Sequence, residues 1–294
     1  MAMASVVGES EIEENEIMKM GSYGGKVKVL RDDQESPAEE IMLLWGIQQP
    51  TLSKPNSFVS QFSLQLRLDA CGRSLSILQS PSSLGAPGVT GSVMWDSGVV
   101  LGKFLEHAVD SKLLMLQGKK VVELGAGCGL VGCIAALLGA QVTLTDLPDR
   151  LRLLKKNIES NLRDGDLRGF AVVRELVWGM SLTKIWWNLY PITVILGSDV
   201  IYSEEAVMDL LDTLMQLCGI QTTIFLAGEL RNDTVLEYFL EAAMKNFGWP
   251  CGADTVASRL LELSDGVVDS STSVLYCVLV RLDLIKLILH VPFA

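Results

Sequence analysis

The chain has 294 residues, 49% of them hydrophobic, with a formal net charge of −11. That length can bury one large core in one domain, and an acidic chain whose Lys and Arg do not cluster excludes a sequence-independent grip on nucleic acid, which needs a basic face that releases counterions. No uninterrupted apolar run approaches the ~20 residues that span a bilayer, so no membrane partner is expected.

Residues 1–56 are expected to form an acidic, disordered segment: the first 40 hold ten acids against four bases, a net of −6. No basic stretch followed by an apolar one marks a secretory leader, and cytoplasm, with the nucleus as a second site, is the expected location. A monomer is the expected state. The six cysteines contain no C-x-x-C pair and no metal-like spacing with His107 and His290, so they read as reduced, mostly buried side chains and no metal is expected.

Phe58 to Leu68 and Arg73 to Gln79 read as two strands joined around Cys71-Gly72, with Phe62, Leu64, Leu66 and Leu68 alternating along the first. Residues 80–92, rich in Ser, Pro and Gly, read as a loop, and a helix is expected to open at Asp96 as its N-cap. From residue 119 strand and helix alternate. Apolar runs at 120–124, 141–145, 171–174, 192–196 and 222–227 are separated by helical stretches from about Asp149 to Asn161, from Ser203 and around Leu236 to Phe247. This is the pattern of a parallel sheet covered on both faces. Two more strands, about Ser258 to Leu263 and Val274 to Val280, are expected to pair antiparallel. The fold class is therefore α/β: a Rossmann-like seven-stranded sheet with an antiparallel C-terminal hairpin, flanked by helices and preceded by a β-hairpin, over residues 57–281. The apolar residues 282–294 have no evident role.

The most informative stretch is Val121-Val122-Glu123-Leu124-Gly125-Ala126-Gly127-Cys128-Gly129. A strand breaks there into three alternate glycines that let a ligand approach the backbone at the start of a helix near Leu130. Gly127 to Gly132 also spell the dinucleotide fingerprint, and Asp146, ending the next strand, suits the ribose hydroxyls of either a nicotinamide or a methyl-donor cofactor. Glu123 favours S-adenosylmethionine, because a carboxylate there repels a pyrophosphate and suits the ammonium and sulfonium of the methyl donor. Further strand-end candidates are Trp178-Gly179 and Gly197-Ser198-Asp199-Val200-Ile201-Tyr202. Trp178 is either a core aromatic or a cover for an adenine face.

Val93 to Leu101, Val122 to Gly132, Leu144-Thr145-Asp146, Glu175 to Gly179 and Ile195 to Tyr202 together resemble the seven-strand S-adenosylmethionine-dependent methyltransferases. Within them the resemblance is to family 16, protein-lysine methyltransferases acting on chaperones and other cytosolic proteins. The Trp95-Asp96 helix start and the Asp199-x-x-Tyr202 motif are its selective parts. The resemblance implies that Trp95, Gly125, Ala126, Gly127, Gly129, Asp146, Trp178 and Ser198 hold the cofactor, with Glu123 facing its methionine end. Asp199 and Tyr202 would border the acceptor channel as catalytic residues. Their plainer roles would be a helix-capping carboxylate and a packed phenol. The acceptor implied is a lysine of a cytosolic non-histone protein such as a chaperone or ATPase. A small-molecule N- or O-methyltransferase and a cofactor-binding protein without turnover are the alternatives. Val200-Ile201, in place of two prolines, disfavours an extruded adenine as acceptor.

Overall fold

A computed structural model describes residues 27–30, 59–60, 62–82, 91–162, 168–187, 189–219, 222–229, 233–247, 251–254 and 275–281. In chain order the strands are β1 (Val27–Leu30), β2 (Gln65–Ala70), β3 (Arg73–Leu78), β4 (Lys120–Leu124), β5 (Gln141–Asp146), β6 (Phe170–Glu175), β7 (Val194–Ser198), β8 (Thr223–Glu229), β9 (Cys251–Asp254) and β10 (Leu275–Arg281). The helices are α1 (Asp96–Asp110), α2 (Leu130–Leu137), α3 (Leu151–Asn161), α4 (Lys184–Trp187), α5 (Glu204–Leu217) and α6 (Asp233–Phe247).

Among the described residues six strands form the central sheet, in the order β10-β8-β7-β4-β5-β6. Strands β4 to β8 run parallel, and β10 joins β8 antiparallel, Cys277 opposite Ala227. The order reverses beside β4, which pairs with β5 on one side and β7 on the other. A Rossmann-like sheet opens its ligand crevice at such a switch point, beyond the carboxyl ends of the strands. Residues 258–263, expected to pair with the last strand, lie outside the described residues, as do 282–294.

Strand side chains alternate faces, and two apolar cores result. Val121 of β4 points to the face covered by α1, α2 and α3, whereas Val122 and Leu124 point to the face covered by α5 and α6. Helix α1 also reaches β8, where the rings of Phe104 and Phe225 meet at 5.6 Å and a tilt of 52°.

Val27–Leu30 form β1, which pairs antiparallel with β9. Two local expectations need correction. Phe62 and Leu64 precede β2 and are 89% and 73% exposed, so only Leu66 and Leu68 of that alternating row pack on the core. Asp96 is not an N-cap: Trp95 occupies that position and makes no side-chain capping bond, and the buried Asp96 Oδ1 accepts the Val59 N–H at 3.0 Å. The carboxylate ties the chain before the hairpin to α1 instead of closing its own helix.

Candidate active site

The turn after β4 is pinned by its neighbours. Ala126 N–H donates to the Thr145 carbonyl at 2.9 Å, Gly129 N–H to the Ala126 carbonyl at 2.7 Å, and the Thr145 hydroxyl to the Glu123 carbonyl at 2.6 Å. Gly125, Gly127 and Gly129 all have left-handed φ, at 58°, 53° and 85°. Gly129 sits where α3 closes on the turn: a Cβ there would lie 2.5 Å from Leu154 Cδ1 and 3.3 Å from Ile158 Cδ1. Gly129→Ala combines backbone strain of ~1–2 kcal/mol with overpacking of ~1–3 kcal/mol. A melting point lower by ~5–10 °C is expected in thermal unfolding. Gly72→Ala is the control, since φ there is +70° with nothing within 4 Å, and it should show the backbone part alone.

Asp146, 9% exposed, closes the second strand end. Its Oδ2 accepts the Gly127 N–H at 2.6 Å and its Oδ1 the Leu147 N–H at 2.8 Å. Burial pushes this carboxyl above the usual carboxylate range, against the pull of those two N–H groups and of Arg150. Gly91, from the end of the 80–92 loop, lies on the same turn; a Cβ on Gly127 would come within 3.2 Å of its carbonyl oxygen.

Across the switch point, Trp178 packs its indole against the open side of Gly125, where a Cβ would meet Cζ2 at 3.2 Å and Val200 Cγ1 at the same distance. Its ring stands 6.4 Å from that of Tyr202, tilted by 46°. Tyr202 is 52% exposed, and burial of the rest of the ring, with the field of Asp146, raises its phenol pKa, so the hydroxyl keeps its proton. Asp199 holds a left-handed φ of 55°, a conformation that Asp tolerates better than most residues, and its N–H donates to the Ala227 carbonyl at 2.7 Å. This kink at the end of β7 turns Val200 inward and leads the chain round to Tyr202. Ser198 faces the first turn of α1, its Oγ 3.5 Å from where a Gly98 Cβ would fall, one turn from Trp95.

The structure thus brings Gly125, Ala126, Gly127, Asp146, Trp178, Ser198, Asp199 and Tyr202 to one edge of the sheet. Glu123 is placed differently from the expectation. It is 1% exposed on the α2 side of β4, its Oε2 lies 2.5 Å from where a Gly132 Cβ would fall, and that oxygen has no hydrogen-bond partner among the described residues. Burial lifts its pKa to about 8, the Gly132 N–H pulling down and Asp146 pushing up. Burial thus favours the neutral acid of Glu123 over its carboxylate. Cys128 in the same turn is also buried, which raises its thiol pKa to about 12.

Asn157 was not legible as a site residue. Fully buried on α3, its Nδ2 donates to the Cys128 carbonyl of the glycine turn and to the Leu78 carbonyl, both at 2.9 Å, while its Oδ1 accepts the Leu78 N–H at 2.9 Å. Asn161, four residues on, bonds the N–H and carbonyl of Ser76 at 2.7 and 3.0 Å. Two amides one helical turn apart thereby complete the free edge of β3 and fasten the hairpin to the turn. The only trace in the sequence is the Asn-x-x-x-Asn spacing.

The lysine methyltransferase family profile matches residues 75–245, more than half of the chain, and includes every one of these strand ends. The chain belongs to the lysine methyltransferase family. Protein N-lysine methyltransferase METTL21A of Mus musculus is 46% identical over 142 residues, 48% of this chain and 62% of that protein. The Danio rerio METTL21A is 39% identical over 188 residues, covering 63% and 77%, and EEF1A lysine methyltransferase 3 of Mus musculus is 38% identical over 184 residues, covering 62% and 73%. The methyltransferase family uses S-adenosylmethionine, and the residues here fit that group. The Asp146 oxygens, each accepting one N–H, retain lone pairs for two ribose hydroxyls.

Proposed function

We propose that the protein is an S-adenosylmethionine-dependent protein-lysine N-methyltransferase that acts in the cytoplasm, and also the nucleus, on a non-histone protein such as a chaperone or ATPase. The observation that carries this reading is the half-exposed Tyr202 ring beside Trp178 and Gly125, at the edge where Asp146 closes the cofactor turn. Asp146 is assigned to the ribose hydroxyls, Trp178 to the adenine side, and Trp95, Ala126, Gly129 and Ser198 to the remaining wall.

When bound, S-adenosylmethionine supplies an electrophilic methyl group on a positively charged sulfur. The chain has then to present a neutral amine in line with it, which is chiefly a matter of alignment. A lysine with an ordinary pKa near ~10.4 must first lose its proton, and the aromatic wall of Trp178 and Tyr202 strips water from the ammonium and so lowers that value. The neutral Tyr202 phenol offers an oxygen that accepts a hydrogen bond from the incoming nitrogen, and Asp199 fixes the kink that holds the phenol in place. Among the described residues no histidine reaches this edge. His107 lies near the end of α1, where its Nε2 is 3.2 Å from the Ser111 hydroxyl.

Incubation with methyl-labelled cofactor and cell extract is expected to label a protein band, with lysine as the labelled residue in mass spectrometry. Tyr202→Ala should reduce transfer by ~10–100-fold and leave the affinity for S-adenosylhomocysteine within ~3-fold. Label found only in dialysable material would assign a small-molecule acceptor instead. Cofactor binding without labelling in any extract would indicate a protein that binds without turnover.

A further inference from the structure

The exposed face of α5 carries more negative charge than the helix itself calls for. Glu204, Met208, Asp212 and Met215 form one solvent-facing row at helical spacing, with Glu205 and Asp209 beside it. The helix contains four acids and no Lys or Arg. Glu204 and Glu205 suit the positive end of the helix dipole, but Asp209 and Asp212 lie beyond the turn it reaches, and Glu205 and Asp209 form a like-charge pair at i,i+4 that opposes helix formation. Helix α3 shows the ordinary alternative: its exposed side mixes Arg152, Lys155 and Lys156 with Glu159. Exposed Met208 and Met215, at 40% and 38%, add adaptable apolar surface of the kind that moulds to varied partners.

The face is continuous with the site. Glu204 begins α5 two residues after Tyr202, and the Asp209 side chain abuts Gly179, next to Trp178. The stretch from Gly179 to Leu182 is bonded along the same helix: Gly179 N–H donates to Thr213 Oγ1 at 3.0 Å and Leu182 N–H to Gln216 Oε1 at 2.9 Å. An acceptor lysine entering beside Tyr202 therefore carries its neighbouring residues onto this row of carboxylates and thioethers.

We propose that the exposed face of α5 docks the segment flanking the acceptor lysine, and that this segment is basic with interspersed apolar residues. The inference rests on the protein-lysine reading above and adds the chemistry of the surroundings. Opposite charges across a solvent-exposed contact act through encounter rate and selectivity, and salt screens them.

The test uses the full chain saturated with S-adenosylhomocysteine and three fluorescent peptides, each with one central lysine and leucines at the same positions, flanked by arginine, serine or aspartate. Fluorescence anisotropy is expected to show the arginine-flanked peptide binding at least ~10-fold tighter than the serine-flanked one, and the aspartate-flanked one weakest, with the difference shrinking as salt is raised. The triple variant Glu204→Gln, Glu205→Gln, Asp212→Asn should lose this ranking while its affinity for S-adenosylhomocysteine and its circular dichroism stay unchanged. Replacing the leucines of the basic peptide by serine should weaken it further if the methionines take part. Equal binding of the three peptides, absence of binding by all, or an unchanged ranking in the triple variant overturns the proposal. Ranked binding with no label transferred to any lysine leaves this surface standing and removes the methyltransferase reading, whereas labelled extract proteins without ranked binding do the reverse.

Discussion

Asp146→Ala is expected to weaken binding of S-adenosylhomocysteine by at least ~100-fold, about 2.7 kcal/mol, in titration calorimetry. The carboxylate does two jobs whose loss adds. It orders the glycine turn by accepting the Gly127 and Leu147 N–H groups at 2.6 and 2.8 Å, and hydrogen bonds to a charged group contribute about 1.5–3 kcal/mol each. It also faces the crevice, where the proposed role is to accept two ribose hydroxyls. Asp146→Asn separates these jobs. An amide keeps one accepting oxygen but presents an NH₂ to the other N–H, so an intermediate loss of ~10–30-fold is expected. If Asp146→Ala costs less than ~5-fold, the side chain shapes the turn and the ribose grip lies elsewhere.

Glu123→Gln is expected to remove the loss of stability that this group causes at alkaline pH. The folded protein holds the Glu123 proton up to about pH 8, whereas in the unfolded chain the group titrates near its ordinary value of 4.5. Its contribution is fully present below pH 4.5, falls as the pH rises because the unfolded chain releases a proton that the folded one keeps, and is gone once the folded group ionises above 8. Glutamine has the shape of the neutral acid and no proton to lose. In denaturant unfolding the variant should match the parent near pH 5 and exceed it by roughly 3–5 kcal/mol at pH 9. Parallel pH profiles for the two proteins would mean that Glu123 is ionised in the fold, with a cation or water at its unpartnered oxygen. Because the group is buried under α2, its titration also places a pH-sensitive element directly beneath the cofactor turn.

The alternating strands and helices after residue 119 were readable because parallel strands buried on both faces leave unbroken apolar runs, and each helix its own stripe. Ser203 was equally plain as a helix start, and its hydroxyl does accept the Ala206 N–H at 3.3 Å. Local chemistry misled where a side chain answers to a distant partner. Asp96 has every mark of an N-cap, yet it serves Val59, 37 residues earlier. Glu123 reads as a charge facing a ligand, yet the alternation of β4 sends it under α2. Asn157 carries no local mark of a site residue, yet it joins three segments.

The sequence alone determined the element types, the glycine turn and the strand ends that carry Asp146, Trp178, Asp199 and Tyr202, because backbone conformation and hydrophobic period are local properties of the chain. The tertiary structure decided which of these meet. The reversal of strand order beside β4 brings the ends of β5 and β7 around one turn, and the segment after β6 runs back along α5, so that Trp178 covers Gly125 and stands against Tyr202. It also decided that one of two acids 23 residues apart stays at the crevice while the other is buried under α2 and pushed toward its neutral form, since desolvation depends on what folds over a group and not on its neighbours in the chain.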